Sequence, residues 1–274
     1  ALPISILDVL EDIQHSGMSI IEICSFPDHL DYHNMDLVRK VSKQIQDMGL
    51  EPFSFHAPFA DDIDITSPNE EQWKFSLNEI LKAAQAAMEL HAAYFVIHPG
   101  PEREGRPPQE EHFQRLEKAS QALNKVAQYC RDHNLFLMLE NMLPHLLFGH
   151  TSDILYLLGA MQETDVGICL DTGHAFLSGD LYSVMYKLSG HLGMIHAADN
   201  NGNRDDHLPP GKGRIDWRTL VEKLMHVQFN GTFILELSGD TGEDRAAILD
   251  NARHARHFIY EHARTIERKK DFVF

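Results

Sequence analysis

Short apolar runs alternate with longer amphipathic stretches along most of the chain. Most of the runs are continuously apolar, and such runs are typical of strands that are buried on both faces of a parallel sheet. We therefore predict seven strands, at residues 19–24, 52–58, 93–98, 136–141, 166–171, 193–198 and 231–237.

The stretches between these runs have the periodicity of amphipathic helices. The apolar stripes of two predicted helices consist of Trp73, Leu77, Ile80, Leu81, Ala84 and Met88, and of Phe113, Leu116, Leu123, Val126 and Cys130. Asp216 is predicted to cap a helix that begins at Trp217. Ser67 is predicted to cap another that begins at Pro68. Eight helices are predicted in all, the first at about residues 4–15 and the last at about 243–267.

Alternation of strands with helices implies right-handed crossover connections and a parallel sheet. A doubly wound sheet would need a glycine-rich first turn, and no GxGxxG sequence follows any predicted strand. Seven or eight βα units favour instead an α/β fold, a single (β/α)8 barrel over residues 1–274. Because the first predicted helix begins almost at the first residue, the first strand of the barrel is expected to be short or truncated.

Composition and charge narrow the classes of function. The 274 residues include 24 Lys and Arg against 41 Asp and Glu, a net charge of -17 that disfavours broad binding to a phosphate backbone. Cys24, Cys130 and Cys169 are scattered without CxxC spacing, which argues against a disulfide framework and a thiolate zinc site. No apolar run is long enough for a bilayer, and no basic start precedes an apolar segment, so we expect a cytoplasmic protein without a membrane partner.

Polar residues stand at the carboxyl ends of six successive predicted strands, which is where a barrel of this kind carries its active site. They are His56 in SFHAP, His98 in VIHPG, Glu140 in LEN, Asp171 and His174 in LDTGH, His196 in IHAADN and Glu236 in LEL. The loop after His196 adds Asp205 and His207. A single such residue is usually a hydrogen-bonded structural residue, but many converging carboxylates and imidazoles would be costly without a cation. The pattern therefore predicts a divalent-metal site.

The ordered set of motifs resembles the xylose-isomerase-like TIM-barrel superfamily, over roughly residues 5–240. That superfamily includes sugar isomerases and epimerases as well as endonuclease IV-type enzymes. Resemblance to the epimerases implies one divalent ion held by Glu140, Asp171, His196 and Glu236. Resemblance to the endonucleases implies a three-zinc cluster whose additional ligands are His56, His98, His174, Asp205 and His207.

Two departures separate the chain from the ketose 3-epimerases in this superfamily. His207 stands where those enzymes usually carry an arginine, and Leu146 stands where they carry an acid. Against a nuclease, the sequence FADDID places Asp61, Asp62 and Asp64 where a nucleic acid would have to pass, and like charges repel. The loops therefore favour a small substrate.

We accordingly expect a divalent-metal-dependent isomerase or epimerase of a sugar or sugar phosphate. Glu140 and Glu236 would move the proton through an enediolate, with one to three ions of zinc or manganese. Predicted substrate-binding residues are His174, Asn141, Arg204 and Lys212. Nucleic acid is not expected as a partner, and a homo-oligomer stays open. The alternatives are an endonuclease IV-type zinc phosphodiesterase acting at abasic sites, and a non-catalytic metal- or sugar-binding barrel.

Overall fold

The computed structural model describes residues 4–102, 105, 107–162, 165–238 and 244–270. Its contacts divide the chain into two compact units, one of Pro3–Cys169 and the other of Leu170–Phe274 with Ala1–Leu2. The prediction that residues 1–274 form one domain stays a prediction.

The first unit contains parallel strands that pair in the order of the sequence. They are β1 (Ile20–Cys24), β2 (Glu51–His56), β3 (Tyr94–Ile97), β4 (Phe136–Glu140) and the first part of β5 (Val166–Asp171). The helices of this unit are α1 (Leu10–His15), α2 (Met35–Asp47), α3 (Glu70–Glu89), α4 (His112–Asp132) and α5 (Thr151–Ala160). The register aligns Cys24 with His56 and Glu140 with Cys169, so neighbouring strands end at similar heights.

The second unit contains the end of β5 and two further parallel strands, β6 (Leu192–Ala197) and β7 (Thr232–Leu235). Its helices are α6 (Thr172–Leu177), α7 (Leu181–Leu188), α8 (Trp217–His226) and α9 (Arg245–Lys270). In the register of β6 with β7, His196 is aligned with Ile234. Short 3-10 helices at Ile6–Asp8, Gln109–Glu111 and Ser189–His191 complete the described elements of the two units.

The seven predicted strands are present, and five of them, β2, β3, β4, β6 and β7, end one or two residues earlier than predicted. β3 ends at Ile97 rather than at residue 98, and β7 ends at Leu235 rather than at residue 237. His98 and Glu236 therefore lie one residue beyond the last ladder position of their strands. The strands supply much of the core, since Ile23, Phe55 and Leu139 are fully buried.

Helix starts follow local capping chemistry, which the sequence analysis identifies at one site and misses at another. The carboxylate of Asp216 accepts hydrogen bonds from the backbone N–H and the hydroxyl of Thr219, as expected for the cap of α8. The predicted cap at Ser67 is wrong. Asn69 caps α3, whereas the hydroxyl of Ser67 accepts a hydrogen bond from the backbone N–H of Asn69 itself.

The predicted apolar stripe of α4 holds except at its first member. Leu116, Leu123, Val126 and Cys130 are buried, but Phe113 is 71% exposed. Phe113 lies in the first turn of α4, which begins at His112. Helical periodicity predicts the face on which a residue lies, but not whether another element packs over the first turn. Among the described helices, none is both long enough and apolar enough to cross a bilayer.

Candidate metal-binding site

The first unit brings together three predicted ligands, which we call the β2–β4 cluster: His56, His98 and Glu140. Their side-chain donor atoms all lie within 4.8 Å of one another, and all three residues are buried. Oε2 of Glu140 lies 3.1 Å from Nε2 of His56 and 3.2 Å from Nε2 of His98. One carboxylate oxygen is therefore shared by two imidazole rings.

The proton positions on His56 indicate what this cluster can bind. Nδ1 of His56 lies 2.9 Å from the carbonyl oxygen of Ala57, which can only accept, so Nδ1 carries a proton. In the neutral ring, Nε2 then presents a lone pair toward the carboxylate of Glu140. Two acceptors at this distance repel each other unless a proton or a cation lies beside them. The donor geometry therefore fits a cation.

Glu102, which the sequence analysis did not identify, contacts the other side of His98. Its Oε1 lies 2.9 Å from Nδ1 of the ring. Burial of the ring opposes protonation, but the carboxylates of Glu140 and Glu102 outweigh burial and raise the pKa of His98 to about 10. The cluster thus attracts positive charge strongly. The spacing of four residues between His98 and Glu102, across a Pro-Gly-Pro turn, is the signal that could have revealed the contact.

The second unit brings together Asp171, His196 and Glu236, which we call the β5–β7 cluster. Their donor atoms also lie within 4.8 Å of one another. Nδ1 of His196 is 3.4 Å from Oε2 of Glu236, and the Glu236 side chain keeps 22% of its surface exposed. Asp171 is fully buried, and its Oδ1 accepts a hydrogen bond from the backbone N–H of His174, which caps α6. The strand end and the helix start together fix this carboxylate.

A third group, the loop cluster, consists of His174, Asp205 and His207. Oδ2 of Asp205 lies 2.8 Å from Nε2 of His207 and 3.3 Å from Nε2 of His174. Burial alone would raise the pKa of Asp205, but the two histidines outweigh it and hold the pKa below its usual range. Burial would likewise lower the pKa of His207, but the Asp205 and Glu236 carboxylates raise it to about 9. Oδ1 of Asp205 is buried with no hydrogen-bond partner among the described residues.

The loop that carries Asp205 and His207 is organised by Asp199, a fully buried residue that the sequence analysis missed. Its carboxylate accepts hydrogen bonds from the backbone N–H groups of Asn200, Gly211 and Ile215 and from the indole N–H of Trp217. Backbone hydrogen bonds in both directions also join Asp199 to Leu208.

Glycine is required twice in this loop. Gly211 has a φ of +88°, and a Cβ on Gly213 would lie 2.3 Å from Oδ1 of Asp199. The PPGKG sequence that precedes α8 is therefore explained by the close approach of the backbone to the Asp199 carboxylate.

The predicted substrate-binding residues differ in their surroundings. Asn141 and His174 are both buried. Asn141 directly follows Glu140 in the sequence, and His174 lies three residues after Asp171. Arg204, by contrast, forms an ion pair with Asp206 and keeps 85% of its side chain exposed. Lys212 is also exposed. The role of Arg204 and Lys212 in binding the substrate stays a prediction.

The acidic loop predicted to repel nucleic acid is less acidic at its surface than its sequence indicates. Asp61 and Asp62 are exposed, but Asp64 is buried and forms an ion pair with Arg115. Trp73 and Trp217 are buried, as their positions on helical stripes predict. Cys24, Cys130 and Cys169 are not joined by disulfide bonds in the described part of the chain.

Comparison with known proteins identifies the fold. A family model described as a xylose isomerase-like TIM barrel matches residues 10–262. The uncharacterized protein MJ1311 of Methanocaldococcus jannaschii is 30% identical over 244 residues, covering 86% of this chain and 80% of that protein. The probable endonuclease 4 of Halothermothrix orenii is 25% identical over 234 residues, covering 78% and 81%.

Solved structures agree with this result. A D-tagatose 3-epimerase-like protein superimposes with a TM-score of 0.84 at 24% identity, over 97% of this chain and 96% of that one. The IOLI protein, solved with a bound zinc atom, superimposes with a TM-score of 0.80 at 16% identity, over 94% of each chain. The predicted α/β fold of the TIM-barrel class is confirmed.

Proposed function

Because the chain belongs to the xylose isomerase-like TIM barrel family, we propose that it is a divalent-metal-dependent isomerase or epimerase of a sugar or sugar phosphate. In TIM-barrel enzymes the active site lies at the carboxyl ends of the strands. The β2–β4 and β5–β7 clusters stand at those ends. The observation that carries the proposal is that Glu140 and Glu236 each lie within 3.4 Å of an imidazole nitrogen there.

The residues present fit a divalent cation. Both clusters offer nitrogen and oxygen donors, which suit zinc or manganese, and a buried oxygen of Asp205 has no partner among the described residues. We assign one central ion to Glu140, Asp171, His196 and Glu236. Further ions would be held by His56 and His98 with Glu140, and by His174, Asp205 and His207. A bound divalent cation polarises the oxygens of the substrate and makes a neighbouring C–H bond more acidic.

The proton transfers are then assigned to the chain's own carboxylates. One of Glu140 and Glu236 removes the proton from the acidified carbon, and the other returns a proton. Return to the opposite face of the same carbon gives an epimer, and return to the adjacent carbon gives an isomer. Asn141 is assigned to binding the substrate's hydroxyl groups, because it is buried next to the proposed ligand Glu140, and His174 takes the same role if no ion occupies the loop cluster.

Deuterium exchange from solvent into a panel of ketoses, aldoses and their phosphates tests this function with added manganese and with added zinc. We expect exchange in the wild type and loss of exchange in Glu140→Gln and in Glu236→Gln. Glu51→Gln is a matched control, since Glu51 is exposed at the opposite end of β2 and should leave exchange unchanged. Absence of exchange into every sugar by the metal-loaded wild type would contradict the proposal.

A specific observation supports a second candidate, an endonuclease IV-type zinc phosphodiesterase acting at abasic sites. The β2–β4 cluster offers donors for an ion beyond the central one, and Asp205 of the loop cluster lies within 3.3 Å of two imidazole nitrogens. Several relatives are also named as probable endonuclease 4. The exposed carboxylates of Asp61 and Asp62 count against a DNA substrate. Nicking of DNA that carries an abasic site, lost in Glu140→Gln, together with no exchange into sugars, would favour this candidate. Anomalous scattering at the zinc edge would count the ions.

A further inference from the structure

The turn after β3 folds a carboxylate back onto a predicted metal ligand. His98 and Glu102 are four residues apart, and Oε1 of Glu102 lies 2.9 Å from Nδ1 of His98. The His98 side chain is only 6% exposed, whereas that of Glu102 is 26% exposed. The carboxylate of Glu102, which is partly exposed, thus contacts Nδ1 of the buried His98 ring, while Nε2 of the same ring faces Glu140.

The turn between the two residues is constrained. Pro99 and Pro101 restrict the backbone, and residues 98–101 are all buried. A Cβ on Gly100 would lie 3.0 Å from the carbonyl oxygen of Leu147, so the turn packs directly against the segment that follows β4. This constrained turn therefore places the backbone of Glu102 within reach of the His98 ring.

The remaining neighbours of the His98 ring leave few ways for it to be oriented. His56 lies edge-on to it with ring centroids 4.9 Å apart, and the ring of Phe59 lies at 5.2 Å. Nε2 faces Oε2 of Glu140 at 3.2 Å. Aromatic rings fix the plane of the imidazole, but only a charged or polar group can fix which nitrogen carries the proton.

We infer that Glu102 is a positioning residue, which holds the proton of His98 on Nδ1 and so directs the lone pair of Nε2 into the β2–β4 cluster. The inference rests on the proposed metal site. A carboxylate bound to the outer nitrogen of a ligand histidine fixes its tautomer and makes it a stronger donor. Loss of such a group typically weakens metal binding by about 10–100-fold.

Metal affinity measured directly on purified protein tests this role. Zinc would be titrated into the chelator-stripped full chain in competition with a chromophoric chelator, and cobalt would be added separately to record its ligand-field absorption. We expect Glu102→Gln, which keeps the size of the side chain but removes its charge, to weaken one class of site by about tenfold. Glu102→Ala should weaken it by up to about 100-fold, and the cobalt bands should shift in both variants.

Glu110→Gln is the matched control, because it removes the same charge from an exposed position before α4. It should bind zinc as the wild type does, and the thermal unfolding of all three metal-free variants should be compared with that of the wild type. Affinities and cobalt spectra that are unchanged in both Glu102 variants would overturn the inference and leave the proposed function intact. Equal weakening in Glu110→Gln would also overturn it. A wild type that binds no divalent ion would overturn the inference and the proposed function together.

Discussion

Asp64 and Arg115 form a buried ion pair, with 3.2 Å between Oδ2 and NH1 and side chains that are 2% and 8% exposed. Thr66 completes the group, since its hydroxyl contacts both Asp64 and Arg115. Arg115→Met should leave the Asp64 carboxylate buried without its cation and lower the free energy of unfolding by about 3–5 kcal/mol. Urea unfolding measures the loss.

Arg39→Met is the control for that substitution. Arg39 also pairs with a carboxylate, that of Glu89 at 2.9 Å, but its side chain is 58% exposed. An exposed pair contributes about 0–1 kcal/mol, so this variant should unfold close to the wild type. Equal losses in the two variants would show that burial does not set the strength of the Asp64–Arg115 pair.

Zinc binding should release protons at neutral pH. In the absence of a cation the pKa of His98 is about 10, so its ring is protonated below that pH, and a metal ligand must give up its proton. We expect the apparent zinc affinity to rise with pH by about tenfold per unit for each proton displaced. Acidification of a weakly buffered, metal-free sample on zinc addition measures the release. The release should fall in His98→Gln and persist in His257→Gln, an exposed control on α9.

The contribution of His207 to the stability of the metal-free protein should depend on pH. The folded state raises the pKa of His207 from 6.5 to about 9, so its contribution is full below pH 6.5 and is lost as the pH rises through about 9. The pKa of Asp205 is depressed, so the contribution of Asp205 is present above its ordinary value and is lost on strong acidification. His207→Gln should therefore lower the free energy of unfolding by about 1–2 kcal/mol at pH 6, and by much less above pH 10. Urea unfolding at both pH values, with the exposed His254→Gln as control, checks this; an equal loss at both would contradict it.

Thiol reactivity should distinguish the cysteines. Burial raises the pKa of the Cys130 thiol to about 12, and Cys130 is 1% exposed, so the reactive thiolate is scarce and inaccessible in the native protein. Cys24 is only half-buried. A thiol-specific reagent at pH 8, followed by mass spectrometry, should modify Cys24 well before Cys130, whereas the urea-unfolded chain should react at every cysteine. Equal native rates would contradict the assignment.

Strand positions can be predicted from this sequence because strands that are buried on both faces of a parallel sheet consist of continuous apolar runs. Residues 166–171 are predicted as a strand, and β5 has those bounds. The prediction overruns at five strand ends, among them those of β3 and β7, because it includes residues such as His98 and Glu236 that lie past the last ladder position. The predicted strand positions of His98 and Glu236 are thus wrong, and their role as site residues stays a prediction.

Contacts between distant residues limit what the sequence can reveal about the site. The charge of Asp64 suggests an exposed acidic loop, but its partner Arg115 is 51 residues away on α4. Asp199 escapes notice for a related reason, because its importance comes from N–H groups of Gly211, Ile215 and Trp217 that the fold brings to it. Glu102 differs, since its spacing of four residues from His98 is visible in the sequence. Ligand types at strand ends can be predicted, whereas the groups that orient those ligands depend on geometry.

The hydrogen bonds of Asp199 have a consequence for how this protein tolerates change. They tie the loop at Asp199, at Gly211 and at Ile215, whereas the exposed residues 201–204 are bonded to Asn200 and Asp206 instead. Substitutions at residues 201, 203 and 204 should therefore leave the hydrogen bonds of Asp199 intact, while Gly211 and Gly213, and Gly202 with its φ of +84°, should be almost invariant in any library selected for folding. The side chains at the tip of this loop can thus be varied while its base, held by Asp199, stays in place.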